Sequence, residues 1–260
     1  MNSILDKIVA EKHLEVESQK KFHSLHELEK QITGTVNRFS FKQALINSDT
    51  GIIAEFKRKS PSRGWIFQDA EIEGIIPKYS SNGASAISIL TDYHFFGGTF
   101  GDFEEARKLT ETPLLRKDFI VDEYQLYQAK IIGANAILLI ASALTVAQTK
   151  QFARKAKELG MDVLLEIHNE QELDHINEHV DVVGINNRNL NTFVTDVQIS
   201  FDLGEKIPGD FIKISESGIS QPQTVMDLQQ AGFRGFLMGE NFMKTSDPGK
   251  ALEDFIAELK

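Results

Sequence analysis

Cysteine is absent from the 260 residues of this chain. That excludes a disulfide framework, a thiol nucleophile and a thiolate metal site. Proline is scarce, at 6 residues, so the chain is not broken into a string of linkers. No run approaches the roughly 18 apolar residues of a membrane span. The opening stretch, M-N-S-I-L-D-K-I-V-A-E-K-H-L-E, is charged throughout and lacks the apolar core of a signal peptide. The expectation is a soluble protein of the cytoplasm. Positive charge is also in deficit, 28 Lys and Arg against 38 Asp and Glu, a formal −10, with a pI near 5.2. Such a surface does not favour nucleic acid or an anionic membrane. It repels anionic substrates at long range too, so a site for an anion must carry its own positive charge and aligned N–H groups. What is present is a hydrophobic fraction of 41%, enough in a chain of this length to bury a substantial core.

Residues 1–48 are polar and helical in pattern. Ser3–Ser18 places Ile4, Leu5, Ile8 and Val9 at helical spacing, and Leu25–Ile32 and Phe41–Ile46 follow as shorter helices. This preamble is expected to pack on one end of the main domain, residues 49–260. From Gly51 the pattern changes to short runs rich in Ile, Leu and Val, as strands buried on both faces require. They are Ile52–Phe56, Ala86–Leu90, Pro113–Arg116, Ala136–Ile140, Val163–Ile167, Val182–Ile185, Phe211–Ile214 and Gly235–Met238. Amphipathic stretches separate most of them: Asp69–Ser81, a short Phe103–Leu109, Asp122–Ile132, Val146–Leu159, Glu170–Glu178 and Thr224–Ala231, with Pro248–Leu259 at the end. Gly133, Gly160 and Gly232 stand where helices stop. The fold expected is α/β, a (β/α)8 TIM barrel with an extra N-terminal helical segment. The alternative is an open doubly wound sheet, but no Gly-x-Gly-x-x-Gly follows the first strand.

In a barrel the carboxyl ends of all strands share one face, and chemistry sits there. Strand one ends in Glu55 and Lys57, which alternation puts on one side. Strand three ends with Lys117, strand five with Glu166, strand six with Asn186, Asn187 and Arg188. Strand seven ends with Ser215, Glu216, Ser217 and Gly218, and strand eight with Gly239 and Glu240. Strand four carries no charge there, so Leu138 and Ile140 read as an apolar wall. Each of these alone is matched by an ordinary reading, such as a strand-end ion pair or a solvated rim. Together they place two lysines and several carboxylates in one mouth, where each shifts the other's proton affinity. Gly218 and Gly239 lie where such barrels bind phosphate through loop and helix N–H groups, with Lys57 as a point charge. The Glu240 carboxylate is out of place there unless it turns aside. The loop Arg58–Gln68, with Arg63, reads as a mobile cover, and Tyr93–Gly101 as an aromatic loop.

His175 and His179 lie four apart in a stretch read as a solvent-facing helix. No third ligand accompanies them, so no metal is expected. His168 lies beyond Glu166 on the same strand parity, as a helper or a surface residue.

The ordered set E-F-K-R-K-S-P-S-R-G, L-R-K-D-F-I, L-L-E-I-H, G-I-N-N-R-N-L and S-E-S-G-I resembles the signatures of the indole-3-glycerol phosphate synthase family. The resemblance spans nearly the whole chain. It departs at Arg63, where Lys is common, and at Asn189, where Asp is common. It implies closure of 1-(2-carboxyphenylamino)-1-deoxyribulose 5-phosphate to indole-3-glycerol phosphate, with loss of carbon dioxide and water, a step of tryptophan biosynthesis. It also implies no cofactor and no metal, a single activity and a monomer acting on a small anion. By resemblance, Lys117 is the general acid of ring closure and Glu166 an acid–base group in dehydration, with Lys57 also a candidate. Glu55 and Asn186 orient the acid and the substrate. Arg188 holds the departing carboxylate and Glu216 a sugar hydroxyl. Lys57, Gly218, Gly239 and Glu240 take the phosphate, Ser60 and Ser217 bind substrate, and Phe96 and Phe119 wall the aromatic ring. A sugar-phosphate isomerase or a binding protein without catalysis stands as the alternative function.

Overall fold

The structure is a computed structural model and describes residues 3–32, 39–190 and 192–259. The eight apolar runs are strands of one closed parallel barrel. They are β1 Ile52–Phe56, β2 Ala86–Leu90, β3 Leu114–Lys117, β4 Ala136–Ile140, β5 Asp162–Ile167, β6 Val182–Asn186, β7 Ile212–Glu216 and β8 Phe233–Met238. Closure comes from β1, which pairs with β2 on one side and β8 on the other. Seven strands end where the apolar run predicts or one residue later, but β7 runs two residues further, to Glu216. A polar strand end is invisible to hydropathy when the ladder continues past it. Among the described residues no helix is long and apolar enough to cross a membrane.

Alternation divides each strand between two cores. The outward set packs against the helices: Ile52, Ala54 and Phe56 of β1, Val163, Leu165 and Ile167 of β5, and Phe236 of β8 among others. The inward set fills the barrel with Ile53, Leu115, Leu138, Leu164, Val182, Ile214 and Leu237. Each such side chain, once fully buried, contributes roughly 1.5–3 kcal/mol. The inward parity continues upward from Ile53 to Glu55, from Leu115 to Lys117, from Leu164 to Glu166 and from Ile214 to Glu216. Polar residues therefore enter the mouth on the same register that carries the core below them.

Helices α1 Ile4–Phe22, α2 Leu25–Gln31 and α3 Phe41–Ile46 precede the barrel. Ser3 and Asp6 form a reciprocal capping box at the start of α1, and Ser24 and Glu27 do so for α2, satisfying N–H groups that the first turn leaves free. The preamble does not sit at one end only. Phe41 and Leu45 of α3 are fully buried in the inward core. The Ser40 hydroxyl bonds to Asp162 at the first residue of β5, at 2.7 Å, so α3 closes the floor. Helix α1 instead lies over the mouth, where Ile4, Leu5 and Ile8 line the main cavity.

The barrel helices are α4 Ile72–Ser81, α5 Phe100–Leu109, α6 Tyr124–Ile131, α7 Val146–Glu158, α8 Gln198–Gly204, α9 Pro222–Gln230 and α10 Pro248–Ala257. Gly133, Gly160 and Gly232 have φ of 86°, 75° and 84°, the left-handed stop that glycine adopts without penalty. The stretch expected as a helix over Glu170–Glu178 is a 3-10 segment, Glu170–His175, ended at Ile176. His175 and His179 therefore do not share a helix face, and His175 is buried rather than solvent-facing. Its Nδ1 lies 2.8 Å from the Thr149 hydroxyl.

Candidate active site

The mouth holds a cavity open to solvent at the carboxyl ends of the strands, where such barrels bind small molecules. Its lining includes Glu55, Lys57, Ser60, Phe96, Lys117, Phe119, Glu166, Asn186, Arg188, Glu216 and Ser217, with Leu138 and Ile140 of β4. An adjoining cavity shares Glu55, Lys57, Arg188 and Ser217 and adds Gly218, Gly239 and Glu240. Every residue given a role by the family resemblance borders one of these two spaces; Asn187 and Ser215, also read at the strand ends, are instead buried, with the Asn187 amide donating to the Ser215 hydroxyl at 2.9 Å.

Lys117 is the hub. Its Nζ lies 3.6 Å from Glu166 Oε2 and 3.7 Å from Glu216 Oε2. Burial works against its charge, but Glu166, Glu216 and Glu55 outweigh that and hold its pKa above the usual lysine value. The ammonium is therefore loaded with its proton at neutral pH. The two carboxylates cannot both ionise cheaply at this spacing. Burial and then the neighbouring Glu166 push Glu216 up to about 8. Burial also opposes charge on Glu166, but Lys117 and His168 prevail and its pKa is lowered. The pair thus holds one proton, resident on Glu216, with Glu166 ionised.

Glu55 and Lys57 form a second pair at 2.5 Å at the end of β1. Burial disfavours the Glu55 carboxylate, yet Lys57 and Lys117 keep its pKa below the ordinary value. Two glycines make room for these acids. A Cβ at Gly184 would collide with Glu216 Oε1, and one at Gly239 would come within 2.6 Å of Glu55 Oε1. Glycine at both places is a condition for buried carboxylates on adjacent strands.

The rings of Phe96 and Phe119 lie 5.9 Å apart at 33°, forming one side of the main cavity. Asn186 accepts the Arg188 backbone N–H at 3.0 Å, which turns the chain after β6. Arg188 donates from Nη1 to Ser62 at 3.0 Å and reaches Glu240 with Nη2 at 3.5 Å. Arg63 meets the other oxygen of Glu240 at 3.2 Å. The Glu240 carboxylate is thus turned aside onto two guanidiniums, as the strand-end pattern required. Ser217 has a φ of 68°, a conformation rare for residues other than glycine, and Gly218 follows at 78°. Successive left-handed residues turn the backbone sharply at the cavity edge.

The loop after β1, expected as a cover, does border the main cavity through Ser60, Pro61 and Ser62. Lys59–Ser60 and Gly64–Trp65 pair as a small antiparallel ladder. Arg58 turns away from the mouth to a two-pronged pair with Asp102, both contacts at 2.8 Å. Lys59 donates to the His94 carbonyl at 2.8 Å. Of the three basic side chains in this loop, only Arg63 borders the second cavity.

Sequence reading missed what stands behind the mouth. Lys12 of α1 is buried, with Nζ 3.0 Å from Asp92 and 3.1 Å from Asp118. Asp118 follows Lys117 directly and also pairs with buried Arg116 at 2.8 Å. Lys12 and Arg116 hold its carboxyl down to about 2 against the cost of burial. A charge at a buried position of an amphipathic helix was the available signal, since Lys12 falls one turn after Ile8. Leu190 and Phe193 also line the main cavity, and nothing in their local pattern marks them.

The comparisons with known proteins come down on one family. The family model described as indole-3-glycerol phosphate synthase matches residues 5–255. The chain belongs to the indole-3-glycerol phosphate synthase family. A relative of that name from Bacteroides thetaiotaomicron is 54% identical over 260 residues, covering 100% of both chains. Another from Legionella pneumophila (strain Paris) is 40% identical over 99% of this chain and 100% of its own. A third, from Thermoanaerobacter pseudethanolicus, is 40% identical over 99% and 98%. Among solved structures, the tryptophan synthase complex from Pyrococcus furiosus aligns with a TM-score of 0.61 at 17% identity, over 82% of this chain and 98% of that one. That likeness is one of fold. The family's defining stretch therefore runs through the helix over the mouth as well as the barrel. Among the described residues, no group of three or more His, Cys, Asp or Glu is placed to hold a metal ion.

Proposed function

We propose that the barrel mouth carries out the family's reaction with Lys117 as the acid of ring closure and Glu166 as the base of the later steps. The substrate is 1-(2-carboxyphenylamino)-1-deoxyribulose 5-phosphate, and the product is indole-3-glycerol phosphate. The supporting observation is the Lys117 ammonium poised between Glu166 and Glu216 at the cavity base.

Carbon–carbon bond formation places negative charge on the ketone oxygen as the aromatic carbon attacks. A loaded ammonium in a dry site stabilises that charge and passes over its proton. Loss of carbon dioxide restores the benzene ring with the electrons of the broken carbon–carbon bond; Glu166, ionised at rest, is suited to the dehydration that follows, in which a methylene proton is removed and the hydroxyl leaves as water. Protonated Glu216 donates to a sugar hydroxyl, and Glu55 fixes Lys57. The Phe96 and Phe119 rings bracket the anthranilate ring, a role that suits their offset geometry. Arg188 meets the carboxylate, and the Gly218 and Gly239 backbones with Lys57 meet the phosphate. The carboxylate leaves as neutral carbon dioxide, so each turnover takes up one proton from solvent.

The test is incubation with that substrate. Indole fluorescence, released carbon dioxide and uptake of one proton per turnover are expected. Binding without turnover would convert the reading to a non-catalytic protein. Isomerisation of a sugar phosphate instead would move it to another barrel chemistry. We infer that the protein acts as a cytoplasmic monomer on a small anion held by the local positive charge of the mouth; the low pI disfavours nucleic acid and anionic membrane as partners.

A further inference from the structure

His168 lies just past β5, two residues beyond Glu166. Its side chain borders an outer cleft that adjoins the main cavity at Asn186 and Arg188 and is lined also by Ser3, Asp6 and Glu172. The ring nitrogens face two acids. Nε2 lies 3.3 Å from Glu166 Oε1, and Nδ1 lies 3.3 Å from Glu172 Oε2. Glu172 is itself fixed: Oε2 accepts the His168 backbone N–H at 2.7 Å, and Oε1 accepts the Asn169 amide at 2.7 Å. All three side chains are largely covered, with 12% exposure for His168 and Glu172 and 3% for Glu166.

The two oxygens of Glu166 are therefore sorted. Oε1 is turned toward the imidazole as an ion pair with Nε2 at 3.3 Å, with no hydrogen bond formed between them. Oε2 is turned into the pocket toward Lys117 at 3.6 Å and makes no hydrogen bond there. A carboxylate free to turn about its Cγ–Cδ bond would spend time at angles that aim neither oxygen at the reacting atom. Loss of that alignment is costly in a positioned proton transfer.

We propose that His168, clamped by Glu172, is a positioning residue that holds Glu166 by Oε1 and leaves Oε2 as its reacting oxygen. The inference rests on the proposed role of Glu166 in the reaction. The ring also supplies charge. Burial disfavours the imidazolium, but Glu166 and Glu172 outweigh it and raise the pKa to about 10. The groups facing Glu166 are thus Lys117 from β3, Glu216 from β7, Asn186 from β6, Glu55 from β1 and the His168 imidazolium. Those around His168 are Glu166 and Glu172, with Asp6 and Arg188 along the same cleft. Among the positively charged groups, Lys117 and His168 approach Glu166 from opposite sides, so removing His168 leaves its carboxylate stabilised from one side only.

The experiment compares E166Q, H168L, H168Q and E172Q with the unaltered protein. E166Q is measured first. Full turnover in E166Q would remove the role of Glu166 and this inference with it. With E166Q impaired, H168L should lower kcat about tenfold to a hundredfold, the usual cost of losing a supporting partner of a reacting group, with KM within about threefold. The acid limb of its kcat profile should move up by about one pH unit, because an opposite charge has been withdrawn from the base. H168Q, which keeps a donor, should lie between H168L and the unaltered protein. A wild-type kcat and limb in H168L, alongside an impaired E166Q, would overturn the inference alone. Where H168L fails to fold, the His168 ring resonances of the unaltered protein decide. They should report an imidazolium at pH 7 whose pKa falls in both E166Q and E172Q, and a neutral ring, or one indifferent to both changes, would sink the idea.

Discussion

Lys117 and Glu166 face each other across the barrel mouth, with Nζ and Oε2 3.6 Å apart. The distance is just beyond a hydrogen bond. The pair attracts without being locked, so a substrate oxygen can enter between acid and base. Glu216 completes the triangle from the other side at 3.7 Å. From this arrangement follow several expected outcomes.

Replacing Lys117 by Ala removes the loaded acid while leaving both phenylalanine walls in place. Turnover should fall by about 10²–10⁴, the range for one general acid, with substrate still binding. Steady-state kinetics and fluorescence titration check this separately. Near-normal kcat in that variant would remove the assignment.

Glu216 makes the stability of the protein pH-dependent in an unusual direction for a carboxyl group. Its pKa rises from the ordinary 4.5 to about 8 on folding. Between those values the folded chain holds a proton that the unfolded chain releases, so this contribution is complete below pH 4.5 and is lost as pH rises through about 8. Glu216→Gln cannot lose that proton. Its melting temperature relative to the unaltered protein should therefore be higher at pH 8 than at pH 5. Equal differences at both pH values would show that Glu216 is ionised in the folded state throughout.

Lys12 ties α1 to the segment behind Lys117 through Asp92 and Asp118. Lys12→Met leaves buried Asp92 without its cation and Asp118 with Arg116 alone. Breaking a buried pair in this way costs about 3–5 kcal/mol. Urea unfolding of the variant measures it. A loss under about 1 kcal/mol, the scale of an exposed pair, would mean that water reaches this network.

Glu240 occupies two guanidiniums that border the cavity assigned to phosphate, those of Arg63 and Arg188. Glu240→Gln frees both and removes a like charge from the incoming anion. KM should fall about two- to fivefold at low salt, the equivalent of about 0.5–1 kcal/mol for partly exposed pairs. The effect should shrink at high ionic strength. An unchanged KM at low salt would place the phosphate elsewhere.

Much of this molecule is written in local pattern. Ile53-x-Glu55-x-Lys57 and Leu164-x-Glu166 each state, by alternation alone, that a polar group follows the core register into the mouth. The eight apolar runs and the glycine stops at Gly133, Gly160 and Gly232 state the repeat. Those signals are short-range, so a linear reading recovers them. Helix type was less legible over Glu170–His175, because a 3-10 segment and an α-helix share composition and differ in which carbonyl each N–H finds.

What only the folded chain decided is distance between residues far apart in sequence. No spacing rule says that Lys12 reaches Asp118, that α3 plugs the floor while α1 covers the mouth, or that Glu240 turns onto Arg63 and Arg188. Nor does one say which of two neighbouring acids keeps a proton. That follows from how deeply Glu166 and Glu216 are buried and which cations stand beside each, quantities that exist only once the barrel has closed. The sequence determined which side of each strand every group would face; closure determined which groups would meet, because Coulomb energy and desolvation depend on separation and burial rather than on order along the chain.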